Sequence, residues 1–416
     1  MKKLLIGLLI FLVVGCTLSD KKDYVNEQEV FSFANDINTD ITINKYTIYG
    51  RFFNLEGETD INSNLTLVLK NNDKEIEYPI YREENKTKFT TNEKINDGIN
   101  LESIEEGTYV VLLKSNEEYY NLKDASGKNY KELEYYTITC NKKNYKITIS
   151  FENILDKSYL ILTCKETKLP NDIYDIVIDP GHGGVDVGAI SGKYKESTIN
   201  LEYSLLLKEE LESLGLKIKL TRNGDTDIYN YGEKGRVSIP YKSKAKLLLS
   251  IHLNSANLNV GNGGIEVYIP SNSNLNFAKS IASQVVENTS TIYSKNSSCR
   301  VEKGVYLRTL TKSDLEELEN DAKKDGYTPY ERATTNSTYY YMLRETGGVV
   351  TGAYIDGRNP KKPGNPYYNS NHGCESYLVE LGYLSSSTNL NILLSEKEKY
   401  VEAIVEAIKE ELKNGC

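Results

Sequence analysis

Two of the chain's three histidines stand where an apolar run stops. His182 closes "VIDPGH" and is followed by two glycines, which leave room for close approach. His252 ends the run in "LLLSIHLNSA". Glu196 lies fourteen residues after His182, immediately before a helical pattern. Two imidazoles and one carboxylate, all at element ends, form the ligand set of an open catalytic zinc site with a fourth position free for water. Each residue also has a plainer reading. A strand-end histidine can be a hydrogen-bonded structural group, and a first-turn glutamate answers the helix dipole. Their joint arrangement at strand ends favours the metal.

Glu380 sits inside "YLVELGYL", where a carboxylate needs a partner or a task. It is either an edge-strand residue facing solvent or a general base beside the metal. As a base it would take a proton from the attacking water and return it to the departing amine. Four further residues are candidates for substrate contact or support. Arg222 would pair with a carboxylate of the protein or of a substrate. Asn254, two residues past His252, would touch substrate or orient a ligand. Asp179 and Glu266 would hold the histidine ring N–H groups. His372 lies in a Gly/Asn-rich loop and reads as a surface residue.

The elements that must position these groups follow from hydrophobic period. From about 172 to 416, strands ("YDIVID", "LKIKLT", "KLLLSI", "GIEVYIP", "SYLVELGY") alternate with helical stripes. Ile199, Tyr203, Leu206, Leu207, Leu211 and Leu214 share one helical face; Val401, Ile404, Val405, Ile408 and Leu412 share another. Ser197 or Thr198 is the expected N-cap of the first helix and Gly215 its stop. This predicts an α/β domain with a mostly parallel sheet flanked by helices, its functional residues beyond the carboxyl ends of the strands. A stretch from about 311 to 373 interrupts the rhythm. It is rich in Tyr, Gly, Pro and Asn, and is expected to line or cover the cleft or to dock a protein regulator.

Residues 41–168 read differently. Short alternating runs such as "YTIYGRF", "LTLVLK", "TYVVLL" and "YKITISF", separated by turn residues, predict an all-β, sandwich-like domain. It serves as a spacer or packing module, or binds wall polymer or a protein partner. Cys140 and Cys164 end two similar runs and would either pair or remain thiols. Before it, residues 16–40 read as a polar tether. Residues 1–15 form a short signal peptide with Lys2 and Lys3 ahead of an apolar core, ending at Cys16. "VVGC" resembles a bacterial lipobox, in which the cysteine carries the lipid. That predicts export and anchoring through Cys16 on the outer face of the membrane. A net charge of −9 excludes a general nucleic-acid binder.

The second domain resembles the zinc-dependent N-acetylmuramoyl-L-alanine amidases. The matching pieces are "VIDPGHGG", the "KES" glutamate before "INL", "LTRNGD", "SIHLNSA", "GGIEVYIP" and "LVELGYLSS", in the family's order. The resemblance implies zinc on His182, Glu196 and His252, a catalytic Glu380, and cleavage of the amide between N-acetylmuramic acid and L-alanine in peptidoglycan. It implies a single sheet with flanking helices. The family's usual "AN" and "AD" signals are missing from "YKSKAKLLLSIH", and the insertion before "LVELG" is a second departure. Two other functions stay open: a non-catalytic peptidoglycan-binding lipoprotein, and a zinc peptidase acting on stem peptides.

Overall fold

The computed structural model describes residues 37–82, 87–126, 132–138, 143–154, 157–230, 234–256, 263–325, 333–346 and 373–412. The signal segment, Cys16, most of the tether, Cys140, His372 and residues 347–372 of the insertion lie outside the described residues. Among the described residues, no helix is long and apolar enough to cross a membrane.

The first unit is all β. Its strands form one hydrogen-bonded network, in the order Leu133–Tyr136, Asn144–Ile154, Lys157–Thr167, Gly107–Ser115, Glu118–Asp124, Ile37–Tyr49, Phe52–Glu58, Lys88–Thr90 and Tyr81–Arg82. Thr66–Lys70, with Glu75–Pro79 beyond it, branches from Gly107–Ser115. The alternating pattern explains this layer, because Ile147, Ile149, Leu160, Leu162, Val111 and Leu113 all point into one core. The first strand begins at Ile37, inside the stretch read as tether. "YTIYGRF", read as one strand, is a hairpin: Gly50 turns the chain at φ +55°. Cys164 is a buried free thiol.

The second unit carries a seven-stranded mixed sheet. Its order is Ile218–Leu220, Ile176–Pro180, Leu247–Asn254, Glu375–Tyr383, Glu266–Tyr268, Val305–Tyr306 and Arg300–Glu302. The first four strands are parallel; Glu266–Tyr268 pairs antiparallel with Glu375–Tyr383. Both faces are covered, so the central strands are buried along nearly their whole length and are apolar at most positions. Ile176, Ile178, Leu249, Val379 and Leu381 pack with Tyr203, Leu207, Ile281, Ile404 and Ile408 from the helices Glu196–Ser213, Asn276–Asn288 and Lys397–Glu411. On the opposite face Val177 and Leu248 meet Tyr241 and Met342. Leu378 meets Leu343 of the short helix Tyr341–Thr346. That helix belongs to the insertion, so this part of it is built into the core.

The two units join at the amino ends of the parallel strands. Arg51, at the hairpin tip, is 5% exposed and lies 3.1 Å from Glu375. It also pairs with the Glu411 carboxylate and donates to the Glu411 carbonyl at 2.9 Å. A Cβ on Gly50 would sit 2.5 Å from Glu375 Cγ, so only glycine lets the tip approach this closely. Asn96 bonds both the Asn274 backbone N–H (2.6 Å) and the Tyr377 hydroxyl (3.1 Å). Ile138 joins the core of the second unit. The β unit thus braces the base of the sheet, leaving the carboxyl ends of the strands on the far side.

Candidate active site

The strand Ile176–Pro180 delivers the chain to His182, which adopts φ +61°. A non-glycine residue in the left-handed region is uncommon and needs outside support. Reciprocal backbone bonds between Gly183 and Asp186, of 2.7 and 3.2 Å, close the turn after it. Arg236 donates to the His182 carbonyl and, at 2.9 Å, to that of Pro180. Arg222 donates to the carbonyls of Pro180 (2.9 Å), Gly181 (2.9 Å), Ser197 (2.7 Å) and Gly224 (3.0 Å). Arg222 therefore clamps loop backbone and makes no ion pair with a described carboxylate.

The helix Glu196–Ser213 starts one residue ahead of the predicted caps. Its first N–H groups are satisfied by loop carbonyls instead: Glu196 N–H donates to Ala189 at 2.9 Å and Ser197 N–H to Val187 at 3.2 Å. The same loop fixes the Glu196 side chain, whose Oε2 accepts from Ala189 N–H at 2.9 Å. Oε1 accepts from Leu253 N–H at 3.1 Å and faces both imidazoles. It lies 3.1 Å from His182 Nε2 and 3.1 Å from His252 Nδ1. The two rings meet edge to face, 5.0 Å between centroids. Gly181 lies under His252, where a Cβ would come within 2.3 Å of Cε1.

His182, Glu196 and His252 thus offer two nitrogens and one oxygen, all within 4.8 Å of one another. Ligands bonded to one tetrahedral zinc at ordinary lengths lie about 3.3 Å apart. The two 3.1 Å separations match that spacing, and the donor types suit the metal, so the residues present fit zinc. Burial pulls the His182 imidazole down, but Glu196 and Asp186 outweigh it and hold it above the ordinary value. Burial pushes Glu196 up, yet the two histidines hold it well below the usual carboxylate range.

Glu380 is the cross-strand partner of His252 and is 7% exposed. Its Oε2 is buried with no hydrogen-bond partner among the described residues. Burial, then the charges of Glu196 and Glu266, push this carboxyl well above the usual range. An orphaned carboxylate oxygen beside a ligand strand is costly unless something occupies the space in front of it.

The residues expected to hold the ring N–H groups do other work. Asp179 accepts from Thr221 (2.6 Å), Ser250 (2.8 Å) and Arg236 (2.6 Å), because its neighbours on the sheet face are a hydroxyl on each side and a buried guanidinium. Glu266 is fully buried and accepts from Asn254 (3.1 Å), Tyr268 (2.8 Å), Ser294 (2.6 Å) and Tyr383 (2.5 Å). Neither bonds a histidine. The ring partner is Asp186, 2.9 Å from His182 Nδ1, which sequence reasoning missed, as it missed Arg236. An acid four residues past the histidine in a glycine-rich loop was the available signal for Asp186; nothing local marked Arg236. Asn254, bound to Glu266, lines the cleft next to Tyr383.

Residues 176–318 match the family model Amidase_3, N-acetylmuramoyl-L-alanine amidase. This segment is similar to the N-acetylmuramoyl-L-alanine amidases. The germination-specific N-acetylmuramoyl-L-alanine amidase of Bacillus subtilis is 37% identical over 102 residues, which span 22% of this chain and 43% of that protein. The AmiA amidase of Escherichia coli is 42% identical over 78 residues, spanning 18% and 26%. The chain thus spans less than half the length of either relative. Among solved structures, AmiC2 of Nostoc punctiforme is 24% identical with a TM-score of 0.38, covering 58% of this chain and 98% of that one.

Proposed function

We propose that the protein is a zinc-dependent N-acetylmuramoyl-L-alanine amidase that hydrolyses the amide between N-acetylmuramic acid and L-alanine in peptidoglycan. The observation that carries this is the convergence of His182, Glu196 and His252 on one point, with the orphaned Glu380 carboxylate on the adjoining strand. A zinc ion held by these three residues would supply Lewis acidity toward the amide carbonyl, a water nucleophile at neutral pH, and positive charge offsetting that of Glu196. The chain's own groups do the rest. Glu380 accepts the proton of the attacking water and delivers it to the alanine nitrogen as the C–N bond breaks. Asp186 fixes the tautomer of His182, leaving Nε2 to face the metal position. Arg222 and Arg236 hold the loop on which that imidazole is carried.

Digestion of purified sacculi with the exported part of the chain, followed by mass spectrometry of the new ends, tests the reading. Free lactyl carboxylates on muramic acid and new alanine amino termini are expected, and chelator should abolish them. Glu380→Gln should retain metal and fold but lose cleavage. Shortened stem peptides would instead identify a zinc peptidase, and binding without new ends a non-catalytic wall protein. Export and lipid anchoring through Cys16 form part of the proposal, supported by the apolar segment that ends at that cysteine. Cys16→Ala should move the protein from the membrane fraction to the soluble one; an unchanged distribution would reject the anchor.

A further inference from the structure

Beside the metal-ligand cluster lies a groove of about 570 Å³ that has no part in the chemistry described above. Its volume falls within the range of ordinary ligand pockets, about 300–1,000 Å³. Asn254, two residues past His252 on the same strand, lines it together with Tyr268, Tyr340 and Tyr383, and Arg308 and Lys295 line it too. The tyrosine wall is rigid. Tyr268, Tyr383 and Asn254 all donate to the buried Glu266 carboxylate, and Tyr340 packs edge to face on Tyr268 with centroids 4.8 Å apart. Glu266 is the cross-strand partner of Glu380, so this wall stands one strand away from the proposed base.

Arg308 gives the groove its chemistry. Its guanidinium lies flat on Tyr339, with Cζ 3.3 Å from the ring centroid. Stacking fixes the plane and leaves the edge N–H groups as a fork suited to a carboxylate. The side chain is half-buried and makes no ion pair with a described residue. Asp314 lies close enough to feel its charge, but spends Oδ2 on the Thr311 backbone N–H (2.7 Å) and hydroxyl (2.6 Å). A partly desolvated, immobilised cation without a counter-charge calls for an anionic ligand.

We infer that this groove receives the peptide side of the substrate and that Arg308 binds a free carboxylate on the stem peptide. The inference rests on the amidase reading. The choice of side follows from charge. In the scissile amide the carboxyl of muramic acid is already consumed, so the N-acetylated glycan is neutral and the negative charge resides on the peptide. An unpaired guanidinium in the groove that adjoins the reacting centre therefore selects the peptide, and Arg308 is a specificity-determining residue.

Two muramyl dipeptides, both with the glutamate γ-carboxyl amidated and identical except that the α-carboxylate is free in one and amidated in the other, provide the test. The full-length wild type should prefer the free acid in kcat/KM by about tenfold or more, the usual worth of a charge-assisted hydrogen bond. Arg308→Gln should remove that preference, losing about tenfold on the acid and under about threefold on the amide. A parallel titration of the free dipeptide L-alanyl-D-glutamate, with its γ-carboxyl amidated, into Glu380→Gln protein should show weaker binding when Arg308→Gln is added. Equal wild-type rates on the two substrates, or dipeptide binding indifferent to Arg308, would overturn the inference. If neither dipeptide nor sacculi are cleaved but dipeptide binding depends on Arg308, the amidase reading fails and the carboxylate site stands.

Discussion

Arg51 is the sharpest place to perturb the union of the two units. Its side chain is 6% exposed and that of Glu375 is 4% exposed, with 3.1 Å between Nε and Oε2. Burial raises the Glu375 carboxyl and Arg51 is the main influence opposing it. Arg51→Met keeps the aliphatic stem and deletes the charge, so Glu375 must either remain ionised and unpaired or take up a proton. The first option costs about 3–5 kcal/mol, as for other broken buried pairs. The second sets a ceiling on that cost. Holding a carboxyl of ordinary value 4.5 neutral at pH 7, at 1.36 kcal/mol per unit, requires ~3 kcal/mol. The expected loss at pH 7 is therefore ~3 kcal/mol. At pH 5 neutralising Glu375 becomes cheap, and the loss should shrink below about 1.5 kcal/mol. Arg51→Met combined with Glu375→Gln should recover most of the stability at pH 7, because no buried charge is left behind. The chain has no tryptophan, so far-UV circular dichroism in urea is the natural assay. With the brace intact, the two units should unfold in one transition; in the single variant the β unit should separate as an earlier one. A loss under about 1 kcal/mol at pH 7, or an equal loss at both pH values, would refute a buried and uncompensated Glu375.

Two further outcomes are expected. Burial pushes the Glu345 carboxyl up to about 7 against the opposing charge of Arg344, so its folded value exceeds its unfolded one. The acid is then favoured in its neutral form: its contribution is intact below pH 4.5 and is lost as pH rises to about 7, a span worth ~3 kcal/mol. Glu345→Gln should remove that slope and raise the melting temperature at pH 8, and a variant whose melting still declines between pH 5 and 7 as in the wild type would contradict the assignment. Asp186→Asn should weaken zinc binding about 10- to 100-fold, measured by competition with a chromophoric chelator, since it leaves His182 Nδ1 without its carboxylate; unchanged affinity would mean that Asp186 does not orient the ring.

What could be read from the sequence, and what could not, divides by the range of the interaction that decides each feature. The parallel strands and their helices are local patterns. Every second residue of Ile176–Pro180 and Leu247–Asn254 faces the same helices, and the 3.6-residue stripe in Lys397–Glu411 repeats over the whole element. His182, Glu196, His252 and Glu380 were visible because each polar group interrupts or terminates such a pattern. Their supports were not. Asp179 reads as a partner for a histidine ring, yet the sheet places Thr221 and Ser250 on either side of it, and those hydroxyls claim the carboxylate first. Arg236 reaches Asp179 from 57 residues away and Arg51 reaches Glu375 from 324 away, so no spacing rule could pair them. The turn at Gly50 was hidden for a related reason. "YTIYGRF" keeps strand-like alternation through the bend, and part of the demand for glycine comes from Glu375 on the other unit, added to that of the left-handed turn itself. The residues proposed to carry the chemistry announce themselves by violating a local period, whereas most of those that hold them in place, Asp186 excepted, act across the fold.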